Sequence, residues 1–594
     1  MKKYIPITVL GVIVIIGAVF RFTGLNWDDN AHLHPDERFL TMVATGIEWP
    51  KTIAEYFDTG HSPLNPQNRG FSFFVYGTYP IYLTKFVASL IRKDTYDGIT
   101  LVGRALSGIA DLLTIVTVFL IARYLASLDT RLSKLAPYAG LLAAFCYAVM
   151  VLPIQLSHFF TVDPYVTLFM TIGIWRIIRQ KFDAMTGCML ALAVGAKASA
   201  ALILPLVAVA FVIAVPWTQT SSSADKRRQH LLIDAVICAV SFFLTLRIVY
   251  PYLFTGWTVN PLVVGNWRQL ASFDSPTTTF PPGLQWITVQ PMQPILDLFV
   301  WGMGIPMGIV STIAVIAAGY RAIQKKSRNS PALIILAWIV VLETYQAVQF
   351  AKPMRYFWPI YPAFAVLIGI TLSSFLQSTP LRLFRYLVAV FLCISFVVWP
   401  IAYLHIYTTP TTRIAANTWI YTHIPKHATI TWESWDDPLP FPRNGFSPSD
   451  YHTPPLPVFD PDSLDKWNKI TDTLSRADYL ILSSNRGYGA MGRVRNRYPQ
   501  TYRYYQDLFS GSLGFTLVAQ FTSRPFIPVP YVTTCITIPG FSYGFLADPL
   551  TPCGKTGITI RDDGADETFT VYDHPKVLIF KKTATADYSA LLGK

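Results

Sequence analysis

A chain that repeatedly offers runs of about 20 apolar residues is bound to a small set of folds. In lipid every backbone polar group must be satisfied internally, and an α-helix does this within one segment. Such runs recur through the first two thirds of this sequence. Eleven of them read as spans: 5–22, 99–122, 136–154, 164–178, 184–197, 199–215, 231–250, 293–319, 331–350, 357–376 and 386–406. The chain is 52% hydrophobic and only 14% charged, which excludes an ordinary soluble enzyme. The expected fold class is a polytopic α-helical membrane protein.

The first span follows Lys2 and Lys3 and has the outline of a signal peptide. No small-x-small cleavage site comes after it; Arg21 to Trp27 follows instead. It reads as a retained anchor with a cytoplasmic N-terminus. The inward loops then hold Arg123, Arg131 and Lys134; Arg179 and Lys181; Lys226, Arg227 and Arg228; Arg321, Lys325, Lys326 and Arg328; and Arg382 and Arg385. Basic loops with few acids are the cytoplasmic signature. They also account for the net charge of +13, so a nucleic-acid partner is not expected.

Hydropathy falls after residue 406. Residues 407–594 read as a soluble extracytoplasmic α/β domain of unassigned role. Ala428 to Trp432, Ala477 to Ser484, Phe515 to Phe521 and Val577 to Lys581 read as strands. Ile414, Ala415, Ala416, Trp419 and Ile420 suggest a helix ahead of them. Of six cysteines, Cys146, Cys188, Cys238 and Cys393 lie in apolar spans. Cys535 and Cys553 lie in the polar part, where a disulfide is an open alternative.

The topology collects four polar motifs at the outer face. The first is His34-Pro35-Asp36-Glu37-Arg38, in an outer loop over 23–98. Charge this close to a bilayer is expensive and usually functional. Asp36 suits a general base, and Glu37 suits orienting Arg38, His34 or a metal. The same residues also suit a helix's first turn, with Pro at its start and acids favoured by the dipole. The second motif is His158-Phe159-Phe160-Thr161-Val162-Asp163, where Asp163 fits a helix cap and His158 a structural hydrogen bond. The third is Lys197, flanked by Gly195 and alanines that would let a phosphate approach the backbone. A lysine here otherwise snorkels to the headgroups. The fourth is Lys352-Pro353-Met354-Arg355-Tyr356-Phe357-Trp358-Pro359-Ile360-Tyr361-Pro362. Arg355 suits paired hydrogen bonds to phosphate, or an interfacial anchor with Tyr356 and Trp358.

The outer loop 23–98 also carries Phe71-Ser72-Phe73-Phe74-Val75-Tyr76, which suits helices lying in the interface. A second outer loop, 251–292, fits either a lid or a packed connector. Trp432-Glu433-Ser434-Trp435-Asp436-Asp437 reads as a surface loop of the soluble domain.

Together, the Asp-Glu first loop, the His-Phe-Phe-Thr-Val-Asp segment, the lysine in a small-residue turn and Arg-Tyr-x-x-Pro-x-x-Pro resemble the glycosyltransferase-C superfamily. The branch they resemble is that of protein O-mannosyltransferases and lipid A aminoarabinose transferases, over roughly residues 1–406. The resemblance implies an inverting transfer from a polyprenyl-phosphate sugar at the outer membrane face, with Asp36 as the base-like carboxylate. It implies a protein, glycan or lipid acceptor, contact with membrane lipids, and a plasma-membrane, cell-envelope setting. Some members hold a divalent metal ion near the donor phosphate and others need none, so that point stays open. The expected site comprises Asp36 and Glu37 as catalytic residues, Lys197, Arg355 and Tyr356 around the donor phosphate, and His34, His158 and Asp163 in support.

The alternative reading is a polytopic lipid or glycan transporter or flippase. Transporters often show repeat symmetry and midplane charges. Here the charges cluster at one face and no repeat is visible.

Overall fold

The computed structural model describes residues 5–216, 221–287, 289, 292–324, 331–378, 381–537, 556–588 and 591. Every segment expected to span is largely helical, although 293–319 is broken at Met303–Gly304. The helices are Ile5–Phe22, Tyr96–Leu128, Ala136–Ala148 with Val151–Ser157, Asp163–Ile178, Ala184–Ala196, Leu204–Ala214, Ser222–Val249, Ile305–Ile323, Ala332–Val348, Tyr361–Ser378 and Arg382–Thr408. By length and composition, six helical stretches among the described residues can cross a bilayer. A seventh crossing needs the pair on either side of a 58° bend at residues 149–150 to act as one span. Ala184–Ala196, at 13 residues, rises only about 20 Å against a hydrocarbon core of about 30 Å. Length therefore carries six or seven crossings rather than the eleven expected.

The helices have two distinct ends. Asp163–Ile178 and Tyr361–Ser378 both start beside the polar motifs. They finish roughly 24–27 Å away at 1.5 Å per residue. At that far end Arg227 donates to Gln180 at 2.6 Å, Arg321 to Ser374 at 3.2 Å, and Gln377 to the Arg131 carbonyl at 2.8 Å. These are residues of the loops or helix ends expected to face inward. Residues 325–328 lie outside the described set.

The C-terminal domain is built on a five-stranded sheet. Its spatial order is Pro455–Leu456, Ile430–Glu433, Tyr479–Leu482, Val577–Lys582, Phe515–Phe521. The first three strands run parallel, and the last two pair antiparallel. Side chains alternate across a strand. Leu480 and Leu482 therefore pack under the helices Leu464–Arg476 and Pro499–Ser510, while Tyr479 and Ile481 pack against Thr412–His423. Burial on both faces explains why this strand reads as an unbroken apolar run. All four expected strands and the expected helix are present, within two residues at most ends. The domain is not a free appendage: Ala565, Phe569, Val571 and Tyr572 join the hydrophobic cluster of the membrane helices.

Three local expectations are corrected. Phe71 to Tyr76 is not helical. It runs between glycines Gly70, at φ +91°, and Gly77, and rings 71, 74 and 76 gather around Phe39. The Trp432–Asp437 segment is no surface loop: Glu433 and Asp436 are buried, and Asp437 is held by two arginines. Hydropathy cannot distinguish a buried, paired carboxylate from a solvated one. The space beside Gly195 belongs to protein rather than to a phosphate. Gly77 N–H donates to the Ala196 carbonyl at 2.9 Å, and a Cβ on Gly195 would come within 2.6 Å of Val249.

The described residues of loop 251–292 pack against other parts of the chain. Asn266 donates to the Ser72 carbonyl, Asp274 accepts from Ala351 N–H at 2.7 Å, and Leu284 packs in the C-terminal domain's core. Cys535 is disulfide-bonded; Cys553 lies outside the described residues.

Candidate active site

Both readings of His34–Arg38 hold. The helix Pro35–Gly46 begins here, with Pro35 in its first turn and His34 Nδ1 accepting from Glu37 N–H at 3.3 Å. Successive helix residues turn by about 100°. Asp36 and Glu37 are thereby sent to two different arginines.

Glu37 faces inward and is fully buried. Its oxygens accept from Arg104 at 2.5 and 2.9 Å, and from Phe160 N–H at 2.7 Å. Arg104 also donates to both oxygens of Asp28, at 2.9 and 2.8 Å, and to the Leu25 carbonyl at 3.0 Å. All five guanidinium donors are thus used. The ring of Trp27 lies against the same guanidinium, 4.9 Å from its carbon. Arg38 turns elsewhere and pairs with Asp437 at 2.8 Å, not with Glu37.

Asp36 faces outward, with 28% of its side chain exposed, and pairs with Arg355. Arg355 keeps unused capacity, because its Nε is buried with no hydrogen-bond partner. Lys197 lies alongside. Its ammonium bonds Asp163 at 2.8 Å and sits 4.8 Å from the centre of the Tyr356 ring. Arg355 faces the same ring at 5.5 Å and Tyr572 at 5.8 Å. Tyr572 in turn packs on His34 at 4.1 Å, and His34 on Phe159 at 4.4 Å. The result is one continuous stack: Phe159, His34, Tyr572, Arg355, Tyr356, Lys197.

Electrostatics follow from this packing. Burial alone would raise the Asp36 carboxyl, but Arg355 and then His34 outweigh it and hold its pKa down to about 2. Burial pushes the His34 imidazole down to about 4, against the pull of Asp36. At neutral pH the node is an ionised carboxylate beside a neutral imidazole.

The structure therefore gathers Asp36, His34, Asp163, Lys197, Arg355 and Tyr356 in one place. It sets Glu37 one layer beneath, in a structural lock. His158 lies apart: its nitrogens reach the carbonyls of Ile154 and Thr23 at 2.7 and 2.9 Å, and its ring stacks flat on Tyr407 at 3.8 Å. Among the described residues no three His, Cys, Asp or Glu side chains are placed to share a metal ion. The carboxylates here are each turned toward a cationic side chain, a donor set suited to charge pairing.

Sequence reasoning missed Asp28, Arg104, Tyr572 and the acidic run from Asp562 to Asp573. In that run Asp566 accepts from Met354 N–H at 2.6 Å, fixing the turn that carries Arg355. Asp573 and Asp562 clasp His574 at 2.5 and 3.0 Å. Asp573 also accepts from Gln155, Tyr403 and Tyr407 of the membrane helices. Burial would lower His574, but the two carboxylates hold its pKa up to about 10. The only visible signal was the density of acids in a stretch of otherwise ordinary composition.

No protein-family model matches the sequence, and no curated protein matches it. Among solved structures it is similar to the oligosaccharyltransferase of Archaeoglobus fulgidus in the apo form, with a TM-score of 0.49 and 13% identity, covering 85% of this chain and 73% of that one. It is also similar to the same organism's oligosaccharyltransferase AglB in complex with an inhibitory peptide and a dolichol-phosphate, with a TM-score of 0.48 and 12% identity over 85% and 73%. A third is ArnT from Cupriavidus metallidurans bound to undecaprenyl phosphate, with a TM-score of 0.44 and 13% identity over 82% and 94%. These neighbours are glycosyltransferases of the GT-C fold.

Proposed function

We propose that this protein is an inverting glycosyltransferase of the plasma membrane. It moves one sugar from a polyprenyl-phosphate donor to a hydroxyl acceptor at the outer face. One observation carries this reading: Arg355 has a buried, unpartnered Nε, stands beside Lys197, and is paired with an outward-facing carboxylate. Two cations with donor capacity suit a phosphate monoester or diester. A carboxylate within reach of the same phosphate suits an acceptor proton. The basic loops at the opposite ends of the helices support an outward site.

In this reading the donor phosphate takes up Arg355 and draws it away from Asp36. Asp36 then loses the partner that most depresses its pKa, and its basicity rises toward that of an ordinary carboxylate. The acceptor hydroxyl gives its proton to Asp36 as its oxygen bonds the anomeric carbon. The bond from that carbon to the phosphate oxygen breaks on the opposite face. The released polyprenyl phosphate carries one more negative charge, which Arg355 and Lys197 stabilise. Tyr356 holds both cations in register. Glu37 acts through Arg104 by fixing the turn, so it is a positioning residue.

The direct test is incubation of membranes containing the protein with radiolabelled polyprenyl-phosphate sugars, followed by fractionation into protein, glycan and lipid. Label leaving the donor only when the protein is present supports transfer. Donor that crosses the bilayer intact, with no label transferred, would favour the transporter reading.

A further inference from the structure

The C-terminal domain has no assigned role, yet it reaches into the node that holds Arg355. Two of its residues touch that node. Tyr572 presents its ring to the guanidinium at 5.8 Å, and Tyr356 presents its own at 5.5 Å. Asp566 accepts from Met354 N–H at 2.6 Å, immediately before Arg355 in the chain. The segment carrying both is anchored independently. Arg413 donates to the Val571 and Leu33 carbonyls, at 3.0 and 3.3 Å, and pairs with Asp437. The membrane helices' Gln155 donates to the Phe569 carbonyl at 2.7 Å.

We infer that Tyr572 and Asp566 are positioning residues for the Arg355 phosphate clamp, so that the donor site is complete only with the C-terminal domain docked. This rests on the donor-phosphate reading above. The physical argument is one of preorganisation. A guanidinium on a flexible stem loses rotamer freedom when it grips a phosphate in two places. Two aromatic rings within cation–π reach restrict its placement beforehand and attract its charge. Asp566 fixes the backbone from which the side chain springs. Tyr572 also backs His34, so one ring aligns the cation and the start of the helix bearing Asp36.

Purified full-length protein in vesicles, with undecaprenyl phosphate as probe, tests the inference. Tyr572→Phe keeps the ring and should bind within about twofold of the natural protein. Tyr572→Leu should bind about 3- to 30-fold more weakly, the range of a partly desolvated cation–π contact. Its effect should fall on the donor's KM more than on kcat. Phenylalanines with one, two and three ring fluorines at 572 hold the shape while draining charge from the ring face. They should weaken binding stepwise with no change in thermal stability. Asp566→Ala should also weaken binding, and Asp566→Asn, whose amide oxygen still accepts from Met354, should largely restore it. If Arg355→Ala weakens binding roughly 10- to 100-fold while the fluorinated series binds like phenylalanine, the inference is overturned and the donor reading stands. If Arg355→Ala itself leaves binding unchanged, the donor reading fails first.

Discussion

Two arginine nodes answer to carboxylates that are neighbours on one helix, yet they differ in almost every physical respect. At Arg104 the side chains of the cation and of Glu37 are fully buried, and every guanidinium donor has an acceptor. At Arg355 the cation is 20% exposed, Asp36 is 28% exposed, and Nε has no partner. A saturated buried node has nothing left to offer a ligand, and removing a partner leaves stranded charge. An incompletely satisfied node at a surface has donors to give. In the proposed reading, the same dipeptide thus supplies one residue to the fold and one to the chemistry.

The largest expected effect breaks the closed node. Arg104→Met would leave Glu37 and Asp28 buried without a counter-charge. A loss of about 3–5 kcal/mol of stability is expected. It would be read as poor recovery of folded protein and a large drop in unfolding temperature. A variant as stable as the natural protein would remove the contrast between the nodes.

The next effect falls on the open node. Arg355→Ala should weaken polyprenyl-phosphate binding by roughly 10- to 100-fold, on the scale of a charge-assisted hydrogen bond, with little change in thermal stability. Arg355→Lys keeps the charge but not the fork, and should recover only part of the loss. Should Arg355→Ala instead melt early and bind normally, this residue would be an interfacial anchor.

The smallest effect is a pH window. His34 has its folded pKa lowered from 6.5 to about 4, so its contribution to stability is present above 6.5 and declines as pH falls through 4. His574 has its folded pKa raised to about 10, so its contribution is full below 6.5 and is lost as pH rises through 10. Unfolding temperatures measured from pH 4 to 10 should peak near neutrality. His574→Gln should flatten the alkaline limb alone. A monotonic profile would show that neither group is held as its surroundings imply.

Much of this arrangement was legible in the residues. The apolar runs gave the helices, and period-two alternation or unbroken apolar runs gave the strands. The sidedness of the basic loops alone brings Asp36, Lys197 and Arg355 to one end. What stayed hidden depends on pairing across long stretches of chain. Nothing local marks Glu37 rather than Asp36 as the partner of Arg104, because the choice is made by 100° of helix rotation. Asp437 and Tyr572 join residues about 400 and 220 positions away, Arg38 and Arg355. Hydropathy treats each of them as an ordinary surface residue. His158 reads as a member of the site because it shares an outer turn with Asp163; its two carbonyl partners and the Tyr407 ring absorb it into the core instead.

The central claim is that Asp36 takes the acceptor's proton and shares Arg355 with the donor phosphate. Asp36→Asn tests both halves in one preparation, by following labelled-sugar transfer and polyprenyl-phosphate affinity together. Transfer should fall by at least about 10²-fold, the scale of general-base removal. Affinity should hold or rise, because the amide competes less well for Arg355. Full turnover in Asp36→Asn, or affinity that collapses along with turnover, would contradict the account.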